Sequence, residues 1–113
     1  MHELSLCEGI IETVEEQAVI KQYSRVKAVR LEIGRLSCVE AEAMAFAFDA
    51  VAKGTMVEGA RLEIDEVPGK GWCATCSSEV EISQRFDGCP LCEHYPIEIR
   101  QGDEMRIKHV EVE

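Results

Sequence analysis

The chain has 113 residues, which is enough for one domain with its own core, with or without a small appended module. It carries 22 acidic and 12 basic side chains, a formal net charge of -10. A surface of this sign repels DNA, RNA and anionic membranes, which argues against them as partners. No apolar stretch approaches the length of a membrane span, and the predicted compartment is the cytoplasm, where thiols stay reduced.

The first two elements are an amphipathic helix and a half-buried strand. Between residues 4 and 20, apolar side chains recur every three to four positions with glutamates between them, which predicts a helix with one acidic side. Val26–Ile33 then alternates, with Val29 and Leu31 on one side and Arg30 on the other. This alternation predicts a strand with one buried face, which ends at Gly34.

A second helix and a second strand follow. Ser37 precedes Glu40 by three residues, the spacing of a capping box, and the apolar stripe that follows predicts a helix that stops near Gly54. Arg61–Val67 alternates again and predicts a strand with Leu62 and Ile64 inward. Strand, helix and strand at this spacing suggest a parallel pair with a right-handed crossover.

The composition changes after the second strand. The stretch VPGKG (67–71) predicts a hinge, and residues 72–94 contain four cysteines and few large apolar side chains. A last strand is predicted over 104–112, with a change of side-chain alternation near His109. We therefore expect an α+β fold: two helices packed on a small mixed three-stranded sheet, with an inserted four-cysteine zinc-ribbon module. The predicted domains are residues 1–68 plus 98–113 and residues 69–97.

The four cysteines have the spacing C-x2-C-x12-C-x2-C, which predicts a structural zinc site formed by Cys73, Cys76, Cys89 and Cys92. This segment is short and has few apolar side chains, so hydrophobic burial alone cannot stabilise its fold. Zinc binding can supply the missing free energy. Four thiolates leave no position for water, so the site should not be catalytic. Two disulfides, a redox CxxC pair or a rubredoxin-type iron site are the alternatives.

The other two cysteines, Cys7 and Cys38, lie on or beside apolar stripes of the sequence. Free cysteine behaves as a small apolar residue, so we expect both to be buried thiols and not ligands.

The chain opens with Met1-His2-Glu3, which places an amine, an imidazole and a carboxylate within three residues. The Met1 amine and the His2 amide close a five-membered chelate ring, and the His2 amide and its Nδ1 close a six-membered ring. Glu3 can supply a fourth donor. Planar nitrogen and oxygen sets of this kind suit Ni(II) or Cu(II). The alternative is an ordinary exposed histidine beside a first-turn acid.

Five features of the sequence are informative when taken together: MHELSLCE, RLEIGRLSCVE, FDAV with KGT, the four-cysteine motif and the closing IKHVEVE. In this order they resemble the HypA/HybF family of nickel-insertion accessory proteins for [NiFe]-hydrogenase maturation. The similarity runs the full length and looks closest to the HybF branch. One departure is that Glu93 follows the last cysteine of the motif, where HybF-like chains have histidine; here the histidine is His94.

The resemblance implies a nickel metallochaperone, a binding and transfer protein without catalytic turnover. It implies Ni(II) as cargo on His2, with Glu3 and the Met1 amine contributing, and structural Zn(II) on the four cysteines. It also implies two partners, a HypB-type GTPase and the hydrogenase large subunit. We expect a monomer or weak homodimer. The alternative function is a zinc-ribbon protein-protein adaptor with an inert N-terminus.

Overall fold

The computed structural model describes residues 3–113 and contains two helices and six strands. The helices are α1 (Glu3–Lys21) and α2 (Ala41–Ala52). The strands are β1 (Val26–Gly34), β2 (Arg61–Val67), β3 (Gly69–Cys73), β4 (Ser78–Ile82), β5 (Glu98–Gln101) and β6 (Met105–Val112). None of these helices is long and apolar enough to span a lipid bilayer.

The chain divides into two compact units. The helical unit contains the residues up to Leu31, residues 39–65 and residues 106–113. The cysteine unit contains residues 32–38 and 66–105. Both helices belong to the helical unit, and all four cysteines of the CxxC pairs belong to the cysteine unit.

One sheet has the strand order β2-β1-β6, so β1 is central. Backbone bonds from Glu113 N to Arg25 O and from Gly34 N to Glu104 O join opposite ends of β6 and β1, so this pair is antiparallel. At the start of β1, Val26 N bonds Met56 O, which precedes β2, and just after the end of β1, Arg35 N bonds Val67 O, at the end of β2. Strands β1 and β2 are therefore parallel, and the sheet is mixed, as expected.

The core of the helical unit lies between α1, α2 and the central strand. α1 buries Cys7, Ile10, Ile11, Val14 and Ala18, and α2 buries Met44, Ala47, Phe48 and Ala52. Both lists follow the helical period that the sequence shows. The two helices meet where the Cys7 thiol, which is fully buried, lies 3.5 Å from the Met44 carbonyl oxygen. This contact fixes the first turns of α1 on α2.

A charged network joins the strands of the helical unit. Arg30 donates two hydrogen bonds to the Asp65 carboxylate, at 2.7 and 2.6 Å, and Lys108 reaches the same carboxylate at 3.4 Å. The Arg30 guanidinium, and then Lys108, hold the pKa of Asp65 at about 2. One carboxylate thus links residues of β1, β2 and β6.

The predicted capping box is wrong. α2 begins at Ala41, and the N-cap residue Glu40 makes no side-chain capping hydrogen bond. The Ser37 hydroxyl instead donates to the Gly34 carbonyl at 2.7 Å, within the turn that follows β1. Serine competes for nearby backbone groups in turns as well as at helix starts, so the spacing alone could not separate the two.

The predicted hinge at 67–71 stays a prediction: only Pro68 separates β2 from β3, and the division between the two units falls close by, between Asp65 and Glu66. Gly69 and Gly71 allow neighbouring parts of the chain to approach the backbone of β3 closely. A Cβ on Gly69 would lie 2.6 Å from the Ile82 carbonyl oxygen, and a Cβ on Gly71 would collide with the Ile97 side chain and lie 2.9 Å from the Glu98 carbonyl oxygen. A side chain at either position would therefore displace the neighbouring strand or segment.

The cysteine unit is built on a second sheet, with the order β4-β3-β5 and both pairs antiparallel. β3 and β4 form a hairpin that pairs Gly69 with Ile82 and Cys73 with Ser78. Four apolar side chains (Leu36, Val80, Ile82 and Ile97) and two cysteines (Cys73 and Cys89) form its buried cluster. The expected fold class is thus confirmed: two helices, a mixed three-stranded sheet and a four-cysteine module.

Candidate metal centre

The first CxxC pair lies in the turn between β3 and β4. Cys73 is the last residue of β3, and the Cys76 N–H points at the Cys73 Sγ from 3.4 Å. Ser77, directly after the pair, has φ of 50°, which turns the chain back toward β4. A strand end and one left-handed residue therefore bring both thiols of this pair to the same side of the turn.

The second CxxC pair repeats this local geometry without a hairpin of regular strands. The Leu91 N–H points at the Cys89 Sγ from 3.4 Å, and Glu93, directly after Cys92, has φ of 64°. Backbone bonds of 2.8 Å from Glu93 N to Cys89 O and from Cys89 N to His94 O close the turn. Each pair thus directs a backbone N–H toward the sulfur of its first cysteine.

The four thiols converge on one point. The Sγ atoms of Cys73, Cys76, Cys89 and Cys92 all lie within 4.8 Å of one another. Two distances join the pairs: Cys73 to Cys92 at 3.6 Å and Cys76 to Cys89 at 3.8 Å. Sulfurs that surround a zinc ion tetrahedrally at about 2.3 Å are about 3.8 Å apart. The set therefore has the size of a tetrahedral zinc site.

These sulfur distances do not fit the disulfide alternative. A disulfide bond is about 2.0 Å long, and all six cysteines of the chain are free thiols.

Burial opposes ionisation of Cys89, but N–H groups of Cys92 and Leu91 outweigh it and lower the Cys89 pKa to about 7. Donation to neighbouring sulfurs, first to Cys92, and then burial raise the Cys76 pKa to about 12. The backbone N–H groups that lower the Cys89 pKa would also stabilise a metal-bound thiolate.

Burial distinguishes the inner and outer ligands of this site. Cys73 and Cys89 are buried within the apolar cluster, Cys76 is half-buried, and Cys92 is exposed. Four thiolates at these spacings would fill the tetrahedral coordination sphere of a zinc ion and leave no position for water or substrate. The donor set is thus compatible with zinc in a structural role.

None of the other candidate residues that the structure describes belongs to the four-thiol cluster. Met1 and His2 lie outside the described residues, and Glu3 is the first residue of α1. His94 and His109 are exposed, and neither belongs to the metal-ligand cluster of the described residues.

The two lone cysteines differ from each other. Burial, and then the charge of Glu3, raise the pKa of Cys7 to about 11, as expected for a buried thiol. Cys38 was expected to be buried and is exposed, with φ of 64° in the segment before α2. The sequence pattern also did not reveal the two backbone amides, of Cys76 and Leu91, that support the sulfurs, although CxxC spacing is the signal that implies such turns.

A small α+β fold that carries a closed four-thiolate site on two CxxC turns defines a metal-binding protein. The family comparison specifies which kind. The family model described as "Hydrogenase/urease nickel incorporation, metallochaperone, hypA" matches residues 1–112. The chain therefore belongs to the HypA family, and it is a nickel-incorporation metallochaperone and not an enzyme.

Individual similar proteins agree with this assignment over all or nearly all of their length. A hydrogenase maturation factor HypA of Azotobacter chroococcum mcd 1 is 53% identical over 113 residues, which are 100% of both chains. The corresponding protein of Azotobacter vinelandii is 50% identical over the same length. The solution structure of the Ni metallochaperone HypA from Helicobacter pylori has a TM-score of 0.70 at 26% identity, covering 99% of this chain and 97% of that one.

Proposed function

We propose that this metallochaperone carries Ni(II) on Met1, His2 and Glu3 and holds Zn(II) on Cys73, Cys76, Cys89 and Cys92. It would receive or release nickel together with a HypB-type GTPase and deliver it to the [NiFe]-hydrogenase large subunit in the cytoplasm. In functional terms, residues 1–68 plus 98–113 would form the nickel-binding domain and residues 69–97 the zinc-ribbon domain.

The observation that carries the proposal is the reach of the nickel-incorporation family model, which begins at the first residue and so includes Met1-His2-Glu3. A carrier must release its cargo, and four thiolates in a closed set exchange a metal slowly. An amine, an imidazole and a carboxylate at a chain terminus form a more accessible set. The two kinds of donor therefore suit different tasks. The thiolates suit a metal that stabilises the fold, and the terminal donors suit a metal that is transferred.

The start of α1 supports a metal at this end of the chain. α1 begins at Glu3, and the N–H groups of a first helical turn have no intrahelical acceptor. Loss of an amide proton to the metal there breaks no helix bond. The helix dipole opposes a cation at this end, and the Glu3 carboxylate offsets part of that effect. The buried contact of Cys7 with Met44 holds the following turn in place.

The competing function is an adaptor that uses the zinc ribbon to bind proteins and has an inert N-terminus. The two functions differ in their demand on His2. Calorimetric titration of zinc-loaded protein with Ni(II) should show loss of specific binding in His2→Ala. The matched control is His109→Ala, which removes an exposed imidazole from β6 and should bind nickel as the unaltered protein does. Full nickel affinity in His2→Ala would contradict the proposed site.

Delivery requires its own experiment. Nickel-loaded protein, the GTPase and metal-free hydrogenase large subunit should be combined, and the nickel content of the re-isolated large subunit measured. We expect transfer that depends on the carrier and is lost in His2→Ala. Equal transfer from the His2→Ala variant would show that the terminus is not the donor. Membership of the HybF branch remains a prediction.

A further inference from the structure

A groove of about 640 Å³ lies between α1 and β6 in the helical unit. Its lining includes Val14, Gln17 and Lys21 of α1 and residues of β6 between Ile107 and Val112. These two residues of β6 are five positions apart, which is about 17 Å along a strand. The groove is therefore long as well as narrow, a shape that fits an extended chain.

The groove borders the open edge of the mixed sheet. In the order β2-β1-β6, strand β6 pairs with β1 on one side, and no strand of the described residues pairs with its other side. No residue of β1 is among the described residues that line the groove, so the groove lies on the open side of β6. This edge is eight residues long and contains no proline, so its backbone can pair with a further strand.

Apolar side chains form the floor of the groove and part of its rim. Val14 is buried, Ile107 is half-buried, and Val112 is 39% exposed. Ile20 is 71% exposed and lies three residues after Gln17, which makes the two neighbours on the surface of α1. Exposed apolar side chains beside an apolar groove are typical of a surface that a partner covers.

The groove is basic although the chain is strongly acidic. The chain has 22 acidic side chains, yet none of the described residues that line the groove is acidic, and two of them are Lys21 and Lys108. Lys108 is engaged with Asp65 at 3.4 Å, whereas Lys21 is exposed in the last turn of α1. An acidic side chain of a bound segment would therefore be attracted to the position beside Lys21.

The acidic residues at the end of β6 have cationic neighbours of their own. Glu111 lies 3.0 Å from Arg61, and Glu113 lies 4.0 Å from Arg25. These contacts reduce the repulsion that the two glutamates would exert on an acidic segment near Lys21.

Contacts within the helical unit hold both walls of the groove in place. The Tyr23 hydroxyl donates to the Val14 carbonyl at 2.6 Å, directly after Gln22 has ended α1 with φ of 58°. On the other wall, the bond from Glu113 N to Arg25 O holds the end of β6 on β1. A groove with fixed walls keeps the cost of reorganisation on binding low.

We propose that the groove and the open edge of β6 bind an extended segment of another protein. The segment carries apolar side chains at alternate positions and an acidic side chain at one end. Its backbone pairs with the open edge of β6 as an added strand. Because successive side chains of a strand alternate, every second one enters the groove, and the acidic one lies beside Lys21.

This binding site is separate from the proposed nickel site and does not depend on it. Thr13 is the lining residue of α1 closest in sequence to Glu3, and it lies ten residues further along the helix, about 15 Å. Segment binding and nickel binding can therefore be measured independently.

The test is a fluorescence anisotropy titration of labelled peptides with zinc-loaded protein. The first peptide has about eight residues, the length of β6, with valine and threonine alternating between two terminal glutamates and with blocked ends. The second has lysines in place of the glutamates. A glutamate at each end places one of them beside Lys21 in either direction of binding. We expect the glutamate peptide to bind about three- to tenfold more tightly than the lysine peptide.

Two substitutions with matched controls test the residues. Val112→Asp places a carboxylate in the groove and should weaken binding of the glutamate peptide about tenfold, whereas Val19→Asp, at an 82% exposed position outside the lining, should not. Lys21→Glu should reverse the preference so that the lysine peptide binds more tightly, and Lys53→Glu, at an exposed position after α2, should not reverse it. Unchanged circular dichroism at 222 nm verifies the fold of each variant.

Hydrogen exchange tests the added strand. The glutamate peptide should protect the β6 amides that point away from β1. Absence of binding of both peptides at about 1 mM protein would overturn the proposal. Binding without protection of these amides would exclude a strand, and protection that rises with the concentration of the chain alone would assign the edge to a second copy. A preference that Lys21→Glu does not reverse would contradict the position of the acidic side chain.

Nickel titration of Val112→Asp should match that of the unaltered protein. Failure of peptide binding and failure of the nickel site are therefore separate results.

Discussion

Removal of the metal from the four thiolates should unfold the cysteine unit and leave the helical unit folded. The apolar cluster of the cysteine unit contains only four large aliphatic side chains besides its cysteines: Leu36, Val80, Ile82 and Ile97. Burial of each contributes about 1.5–3 kcal/mol, or about 6–12 kcal/mol together. Zinc in a structural site of this type contributes about 10–16 kcal/mol near neutral pH. The metal therefore supplies stabilisation comparable to or larger than that of the apolar cluster.

The chain has separate optical probes for its two units. Trp72 is the only tryptophan, lies in β3 beside the Arg100 guanidinium at 5.2 Å, and reports on the cysteine unit. Both helices, of 19 and 12 residues, belong to the helical unit and supply the circular dichroism at 222 nm. On zinc removal by a chelator, we expect the Trp72 emission to shift to the red while the helical signal persists.

Trp72 emission and the helical circular dichroism should also distinguish the cysteines that bind the metal from those that do not. Cys89→Ser should reproduce the effect of chelation at equal total zinc, because it removes the buried thiol that two backbone N–H groups support. Cys38→Ser is the matched control, since Cys38 is exposed and outside the cluster. An unchanged Trp72 spectrum after complete zinc removal would refute the reasoning. Simultaneous loss of the helical signal would show that the two units do not fold separately.

Two further predictions concern stability. Gly71→Ala should destabilise the cysteine unit by about 1–3 kcal/mol, because its Cβ would meet Ile97 and the Glu98 carbonyl. Gly9→Ala should stabilise the helical unit by about 0.5–1 kcal/mol, because its Cβ would enter open space on α1. Denaturant titrations followed by Trp72 emission and by helical signal measure the two changes, and equal effects would contradict the glycine argument. The Asp65 pKa is lowered from 3.8 to about 2, so its ionised form stabilises the folded state above pH 3.8, and this contribution is lost as pH falls towards 2. The difference in unfolding free energy between the unaltered protein and Asp65→Asn, followed by helical signal, should shrink as pH falls from 3.8 towards 2. A difference that stays constant with pH would exclude ionisation of Asp65 as the source of the stabilisation.

Regular periodicity made much of the fold predictable. The apolar spacing of residues 4–20 anticipated α1, and the alternation of Val26–Ile33 anticipated β1 to within one residue. Both patterns report burial of one face, which is a local property of the sequence. The convergence of four cysteines was predictable for a similar reason, because CxxC spacing limits the turn that joins two thiols.

The errors arose where tertiary contacts decide the structure. Ser37 bonds the Gly34 carbonyl and not the start of α2, and the sequence did not reveal that Gly69 and Gly71 allow close packing. β5 was not predicted, since its four residues show no alternation and pair with β3 across a long intervening segment. Such choices depend on partners distant in sequence, which local patterns do not contain.

The central claim is that nickel binds a chelate formed by the terminal amine and His2. The most direct measurement is a calorimetric Ni(II) titration of zinc-loaded protein beside the same protein with one glycine added before Met1. The extension moves the amine away and keeps every side chain. We predict that nickel binding collapses in the extended protein while Trp72 emission is unchanged. Equal nickel affinity in both proteins would contradict the claim and direct the search to His94 and His109.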